Sequence, residues 1–357
     1  MQFDILTSAE AREKNADDWR CLADSCGHGI FGGYEWHMLW WKHLGSTAAV
    51  TLHIVTMRDG SGKLTAVLPL IVRHSYGARI AEWAGYEVFD YGDVLAVTSP
   101  DAEAILNYAY LKGRYDIALL KDVHYAALSM PYLSRVMRLR RQKKNYFLTL
   151  DFVSGEAWLA AQSRKLRGDV RRKMEKMAIK GAVTFHVHDN AKPVPVSVIN
   201  ALYDQKKEWF AANNKRGVFA RPEVQRFLHE LAQDASRRGT LYLAWLSCGD
   251  SIAACHMGFV QGGVLYLYHT TYDTAYRAFS PGNSMMVETI KWTIDVGLSE
   301  LDFMRGEESY KARFASGVRQ LSTYMQGRSW LGKLGVVLQK EQGETEETPA
   351  ELEESPT

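Results

Sequence analysis

The apolar and polar positions of this chain alternate between short strand-like runs and stretches of helical period. Ser8 to Ala23 and Tyr34 to Leu44 repeat their apolar residues at helical spacing, the second stretch carrying Trp36, Trp40 and Trp41. Thr51 to Met57 and Leu64 to Val72 flank Asp59-Gly60-Ser61-Gly62, which predicts a hairpin. Tyr86 to Val97 reads as a further strand-like stretch, followed by a helix over Asp101 to Leu111 and a strand over Asp116 to Leu120. The rhythm returns at Leu241 to Cys248, Ile252 to Val260 and Val264 to Thr271, separated by Gly249-Asp250 and Gly262-Gly263. Two halves built on similar hairpins predict a duplicated domain of mixed α and β structure.

Between the halves, Arg135 to Lys144 (RVMRLRRQKK) reads as a helix end and loop. Arg164 to Lys180 predicts a helix with Leu166, Val170, Met174 and Met177 inward and Arg164, Arg167 and Arg171 on another face. A strand at Val183 to His188 precedes helices over Val196 to Ala212 and Pro222 to Arg237, with a loop at residues 213–217 between them. From Leu265 to Phe314 the order is an aromatic strand, a Ser280-Pro281-Gly282-Asn283 turn, an amphipathic helix and a short strand at Leu301 to Met304. A charged Arg305-Gly306-Glu307-Glu308 turn then leads into Tyr310 and Lys311. Leu321 to Gln326 reads as a closing strand and Trp330 to Leu338 as a short terminal helix.

Length bounds this organisation, since 357 residues suit about two ordinary domains. The net charge of +2 hides a division: the last eighteen residues hold seven Glu and one Lys, which leaves the body at +8. That tail is too polar to fold by burial. The basic body calls for an anionic partner, either the phosphates of a substrate or an anionic membrane surface. Nucleic acid is disfavoured, because the basic stretches lack interleaved aromatic residues. Cys21, Cys26, Cys248 and Cys255 form no metal-ligand spacing and read as reduced thiols of a cytoplasmic protein. The first residues, MQFDILTSAEAREKN, lack the basic and apolar regions of an export signal, and no apolar run reaches membrane-spanning length. The expectation is a cytoplasmic protein, with peripheral contact to the inner membrane open to it.

A serine before proline and glycine at a helix start leaves backbone N–H groups directed outward, where the helix dipole favours an anion. The same residues also make an ordinary helix start, with Ser280 as cap and Pro281 in the first turn. His256 and His269 lie on neighbouring predicted strands, where a histidine can act as a base near neutral pH or sit in the core as a hydrogen-bonding residue. No G-x-S-x-G elbow is present, and no cysteine lies in an activating context, so covalent catalysis has no candidate nucleophile.

The stretch carrying Tyr272-Asp273, Ser280-Pro281-Gly282, Gly297, Asp302-Phe303, Arg305-Gly306, Tyr310-Lys311 and Phe314 resembles the C-terminal acyltransferase domain of the GNAT superfamily. The resemblance is to the branch related to the Fem peptidyltransferases and the CelD-type acetyltransferases of bacterial polysaccharide operons. A second patch, Phe31-Gly32-Gly33-Tyr34-Glu35-Trp36 with Trp40-Trp41 and Gly45, agrees with it. It implies an α/β (α+β) fold of two tandem GNAT-like domains, each a mixed sheet flanked by helices. The first domain, without the cofactor loop, would span residues 1–150, the acyltransferase domain residues 151–335, and an acidic disordered tail residues 336–357.

The implied reaction is N-acyl transfer from acyl-CoA, a co-substrate rather than a bound cofactor, with no metal. Its acceptor would be an amine-bearing envelope precursor, such as an amino sugar of a polysaccharide or a long-chain amino alcohol as in bacterial ceramide synthesis. Ser280, Gly282, Asn283 and Ser284 would hold the pyrophosphate of the donor. The usual arginine or glutamine followed by closely spaced glycines is absent, and Arg277 lies upstream. Lys311 would stabilise charge on the transferred carbonyl, with His256, Asp273 and Tyr310 as further catalytic candidates. Arg305, Glu307, His269, Tyr34 and Trp36 would contact substrate or orient Lys311. Two alternatives stand beside this reading: a Fem-like aminoacyl-tRNA-dependent transferase, and a non-catalytic protein binding an anionic glycan or nucleic acid.

Overall fold

The computed structural model describes residues 1–26, 30–75, 77–213 and 218–333. Most of the loop expected at 213–217, the end of the expected terminal helix and the acidic tail lie outside the described residues. The strands are β1 (Gln2–Leu6), β2 (Val50–Arg58), β3 (Leu64–Ser75), β4 (Ala78–Trp83), β5 (Leu95–Ala96), β6 (Ile117–His124), β7 (Arg138–Thr149), β8 (Val183–Val187), β9 (Leu241–Cys248), β10 (Ser251–Gln261), β11 (Val264–Tyr272), β12 (Glu300–Arg305) and β13 (Gly317–Gly327). The helices are α1 (Ala9–Glu13), α2 (Ala16–Cys26), α3 (Tyr34–His43), α4 (Ser99–Lys112), α5 (Met130–Val136), α6 (Gly155–Ala161), α7 (Arg164–Ala178), α8 (Val196–Ala212), α9 (Pro222–Arg237), α10 (Pro281–Asp295) and α11 (Ser309–Phe314). Among the described residues no helix is long and apolar enough to cross a membrane.

Packing divides the chain into two compact units. The first comprises residues 1–145, 305–307 and the stretch from Arg319, and the second residues 146–304 and 308–318. In the first unit β1, β2, β3, β4, β6 and β13 are hydrogen-bonded in that order, and β5 pairs with β3. The β4–β6 pair is parallel, whereas β1–β2, β2–β3 and β6–β13 are antiparallel. Trp19, Trp83, Ile54, Leu68 and Ile105 are fully buried in this unit.

Two stretches of the first half depart from the sequence expectation. Tyr86 to Val97 is a three-ten turn at Tyr86–Val88 followed by the two-residue β5, rather than one strand. The reason is turn chemistry: the Asp93 carboxylate accepts the backbone N–H groups of Val94, Leu128 and Ser129, bonds that a continuous ladder would not leave to it. Arg138 to Lys144 is the first half of strand β7 and not a loop. Its cations Arg138, Arg141 and Lys144 are exposed, while Asn145, Tyr146 and Leu148 farther along are buried, so sheet pairing overrides a composition that reads as loop.

In the second unit β12, β11, β10, β9 and β8 are neighbours in that order. The β11–β12 pair is parallel and the others antiparallel. Parallel strands need a crossover, which α10 supplies, giving the strand-loop-helix-strand order expected from Leu265 onward. Helices α8 and α10 both pack on β10 and β11, and α6 and α7 pack on α10. Tyr242, Leu265, Met285, Ile290 and Phe303 fill the resulting core. Strand β10 shifts register at Gly258, where a side-chain carbon would lie 2.4 Å from the Tyr266 carbonyl oxygen, so only glycine fits.

Candidate functional site

The charged turn after β12 folds back into helix α11, whose Phe314 is buried in the core of the second unit. That anchoring draws Lys311 inward, leaving it 4% exposed. An ammonium held this far from water needs a partner, and the Lys311 Nζ lies 2.9 Å from Glu308 Oε2, one helical turn away. Burial, the largest influence, pushes the Glu308 carboxyl up, but the charge and hydrogen bond of Lys311, joined by a backbone N–H and Lys206, together bring it below the usual carboxylate range. Glu308 is therefore ionised at neutral pH while its side chain keeps 31% exposure.

Tyr310 stands beside this pair, with its hydroxyl 3.2 Å from Thr270 Oγ1 on β11. Burial raises its phenol above the ordinary value, so it stays protonated at neutral pH. Lys206 on α8 contributes a smaller downward pull on both Glu308 and His256. Glu308, Thr270 and Lys206 were not singled out from the sequence. The spacing of Glu308 three residues before Lys311 was the available signal, since such residues share a face once the segment is helical.

His256 is 1% exposed, and burial, with Lys206 adding to it, pushes its imidazole down to about 3. Its Nδ1 lies 2.9 Å from Thr289 Oγ1, which also receives the Tyr242 hydroxyl at 2.9 Å. A buried ring with so low a pKa has little affinity for a substrate proton near neutral pH, so His256 acts as a core hydrogen-bonding residue and not as the base. His269 packs its ring against Tyr268 and Phe219. Asp273 caps the following three-ten turn by accepting the Ala275 N–H at 2.8 Å.

The Ser280 turn opens α10 as expected, though not by the expected bond. Ser280 has φ +49° and makes no side-chain cap; its carbonyl accepts the N–H groups of Asn283 and Ser284 at 3.1 and 3.4 Å. Ser284 is buried, whereas Gly282 and Asn283 are partly exposed. The open part of this helix start is thus Ser280 and Gly282 with the Asn283 side chain.

The remaining candidates belong to the first unit. Arg305 approaches Asp122 at 3.3 Å and Asp90 at 3.5 Å and stacks over the Tyr86 ring. Burial lowers its guanidinium pKa, but the two carboxylates raise it further, so its charge is locked. Glu307 accepts the Lys144 N–H at 3.0 Å. Both residues are thus engaged by partners other than Lys311. Tyr34 and Trp36 are 3% and 2% exposed, Tyr34 edge-on to Trp19 and Trp36 edge-on to Phe31. Both are core side chains of α3, which corrects their expected place at a substrate surface.

Among the described residues no group of three or more His, Cys, Asp or Glu side chains could hold a metal ion. Cys255 lies 2.9 Å from Thr271 Oγ1, and burial pushes its thiol up to about 12, so it has no nucleophilic character at neutral pH.

Residues 164–312 match the model of the acetyltransferase (GNAT) domain. No curated protein matches the sequence. Among solved structures, FemX superposes with a TM-score of 0.61 at 10% identity, over 95% of this chain and 99% of that one. L-PGS from Bacillus licheniformis gives 0.54 at 13% identity, over 91% and 95%. A tandem GNAT protein from the clavulanic acid biosynthesis pathway gives 0.50 at 12% identity, over 92% and 99%. At these identities the likeness is one of fold. The segment from α7 into α11 thus matches an acetyltransferase (GNAT) domain, within a chain that shares the fold of FemX and of a tandem GNAT protein.

Proposed function

We propose that the second unit transfers an acyl group from a thioester, in the first instance acyl-CoA, to a primary amine. The observation that carries this reading is the buried Lys311–Glu308 pair beside the Tyr310–Thr270 hydrogen bond, inside the segment that matches the acetyltransferase domain. The amine nitrogen bonds to the carbonyl carbon, the carbon–sulfur bond breaks, and the thiol leaves. Lys311 offers a fixed positive charge to the carbonyl oxygen as it becomes negative. Tyr310, held protonated by burial, supplies the proton that the departing thiolate takes and regains one from the new amide nitrogen. The acceptor ammonium loses its remaining proton to solvent by way of the exposed edge of Glu308. Gly282 and Asn283 at the start of α10 receive a donor phosphate. The acceptor we favour is an amine of an envelope precursor, an amino sugar or a long-chain amino alcohol.

A second reading, transfer of an aminoacyl group, is favoured by one feature: the donor loop lacks closely spaced glycines between Arg277 and Ser284. Thermal unfolding with acyl-CoA separates the two. Acyl-CoA at about a hundred times its Kd stabilises the folded chain by about 2.7 kcal/mol. A clear rise of the midpoint supports the thioester donor, and no rise with any thioester tested overturns it.

A further inference from the structure

Helix α7 carries seven Lys or Arg and two acidic residues along Arg164–Ala178. Leu166, Val170 and Met174 pack against the core of the second unit, and Met177 is fully buried in it. The opposite side is open: Arg164, Lys165 and Lys176 are exposed there, Arg167 is exposed on its flank, and none of the four makes an ion pair among the described residues. Ile179 follows the helix with helical dihedrals, φ −66° and ψ −26°, and is 86% exposed. At about 100° per residue it falls on the outward side, near Arg164 and Arg172.

An isoleucine left in water between Lys176 and Lys180 has no role in the folded core. Lys180 lies over the rings of Tyr276 and Phe279, and Lys173 Nζ bonds the Ala278 carbonyl at 2.8 Å. The basic helix is thereby pinned to the turn that immediately precedes the Ser280 loop.

We propose that the outward face of α7 is a docking face for an anionic phospholipid surface, with Ile179 entering the headgroup layer. Charge complementarity identifies the occupant: cations next to an anionic leaflet each add to binding, and a protruding apolar side chain adds burial that a free phosphate cannot offer. A single-stranded nucleic acid is the other polyanion to consider. It is held through bases stacked on aromatic side chains, and α7 contains no aromatic residue. The inference does not depend on the donor or on Lys311, and it extends the proposed function by placing the second unit where an amphipathic acceptor would be presented.

The test is co-sedimentation of the full chain with vesicles of phosphatidylcholine alone and of phosphatidylcholine containing about a third phosphatidylglycerol. The expected result is binding to the anionic vesicles only, weakened by salt. Replacing Arg164, Lys165 and Lys176 together by Gln should weaken that binding roughly a hundredfold, at about fivefold per charge. Ile179→Ser should weaken it roughly tenfold with all charges kept. All four positions are exposed, and an unchanged thermal midpoint shows that the variants fold. Equal binding to both vesicle types, undiminished binding by the triple variant, or preference for a homopolymeric RNA over the anionic vesicles at the same salt would each overturn the proposal.

Discussion

Lys311→Met tests the candidate site most directly, because it removes one member of a buried pair while keeping the length of the side chain. A fully buried charge left without its partner costs about 3–5 kcal/mol. Glu308 keeps 31% of its side-chain exposure, so water takes over part of the lost contact and about 1–2 kcal/mol is the reasonable figure. For a chain of 357 residues that lowers the thermal midpoint by about 1–3 °C at pH 7.5. The pH dependence is the sharper part. In the native protein Glu308 lies below its ordinary pKa of 4.5, so its contribution is present above that value and is lost as pH falls through the lowered one. In Lys311→Met both contributions of the ammonium are gone, and burial, the largest influence, is opposed only by the smaller pulls of a backbone N–H and Lys206, so the carboxyl moves upward from its native value. A raised carboxyl costs stability at neutral pH and returns it as pH falls through the raised value, so the gap between variant and native midpoints should narrow from pH 7.5 towards pH 5. Differential scanning calorimetry of both proteins across that range measures it. A gap that stays constant or widens would show that Lys311 does not govern Glu308. On the proposed chemistry the same variant loses about a hundredfold to a thousandfold in kcat, whereas Glu308→Gln in the Lys311→Met background should recover stability without recovering activity.

Thr289→Val leaves the buried His256 ring and Tyr242 hydroxyl without their shared partner and should cost about 2–4 kcal/mol by urea unfolding, while the pH profile of acyl transfer keeps its shape. Asp122→Ala removes the carboxylate that holds Lys143 and Arg305 in the first unit and, at φ +51°, puts alanine in a strained conformation; a loss of about 3–5 kcal/mol is expected by the same measurement. His37 and His256 are pushed down to about 3 and His53 and His124 to about 4, in each case chiefly by burial. Only the unfolded chain takes up protons at these positions between the ordinary value of 6.5 and those lowered values, so stability should fall steadily as pH drops below 6.5, and a midpoint independent of pH from 7 to 5 would refute the burial of these rings. Gly155→Ala would place a carbon 2.5 Å from the Lys291 Cα, and a loss of about 1–3 kcal/mol is expected where α6 meets α10.

What the sequence made legible follows from how local each signal is. Helices α8 and α9 begin and end at the expected residues because a proline precedes one and opens the other and both carry apolar positions at helical period. The β11–α10–β12 order was legible for the same reason. Strand β7 was not, because its pairing is decided by a distant partner and its first half carries six of seven polar residues, Arg138 to Lys144. Burial was the least legible property. Residues Ala253 to Phe259 of β10 are all buried, so alternation along the strand gave no sign of whether His256 faced a cleft or the core.

The candidate site shows the same limit from the other side. Lys311 was found through its resemblance to a family motif, and its chemistry depends on a neighbour that the motif did not mark. Composition treats Arg305, Glu307, Glu308 and Lys311 as one charged turn, yet folding sorts them. Arg305 and Glu307 go to partners at Asp90, Asp122 and Lys144, and Glu308 pairs with the buried Lys311. The sorting comes from α11: a helical turn puts residues three apart on one face, and the buried Phe314 fixes which face turns inward. The carboxylate one turn earlier turns inward with the lysine and stands 2.9 Å from its ammonium. The pair therefore follows from the helix, and a proline at Ala312, which would break α11, should abolish both the burial of Lys311 and any activity that depends on it.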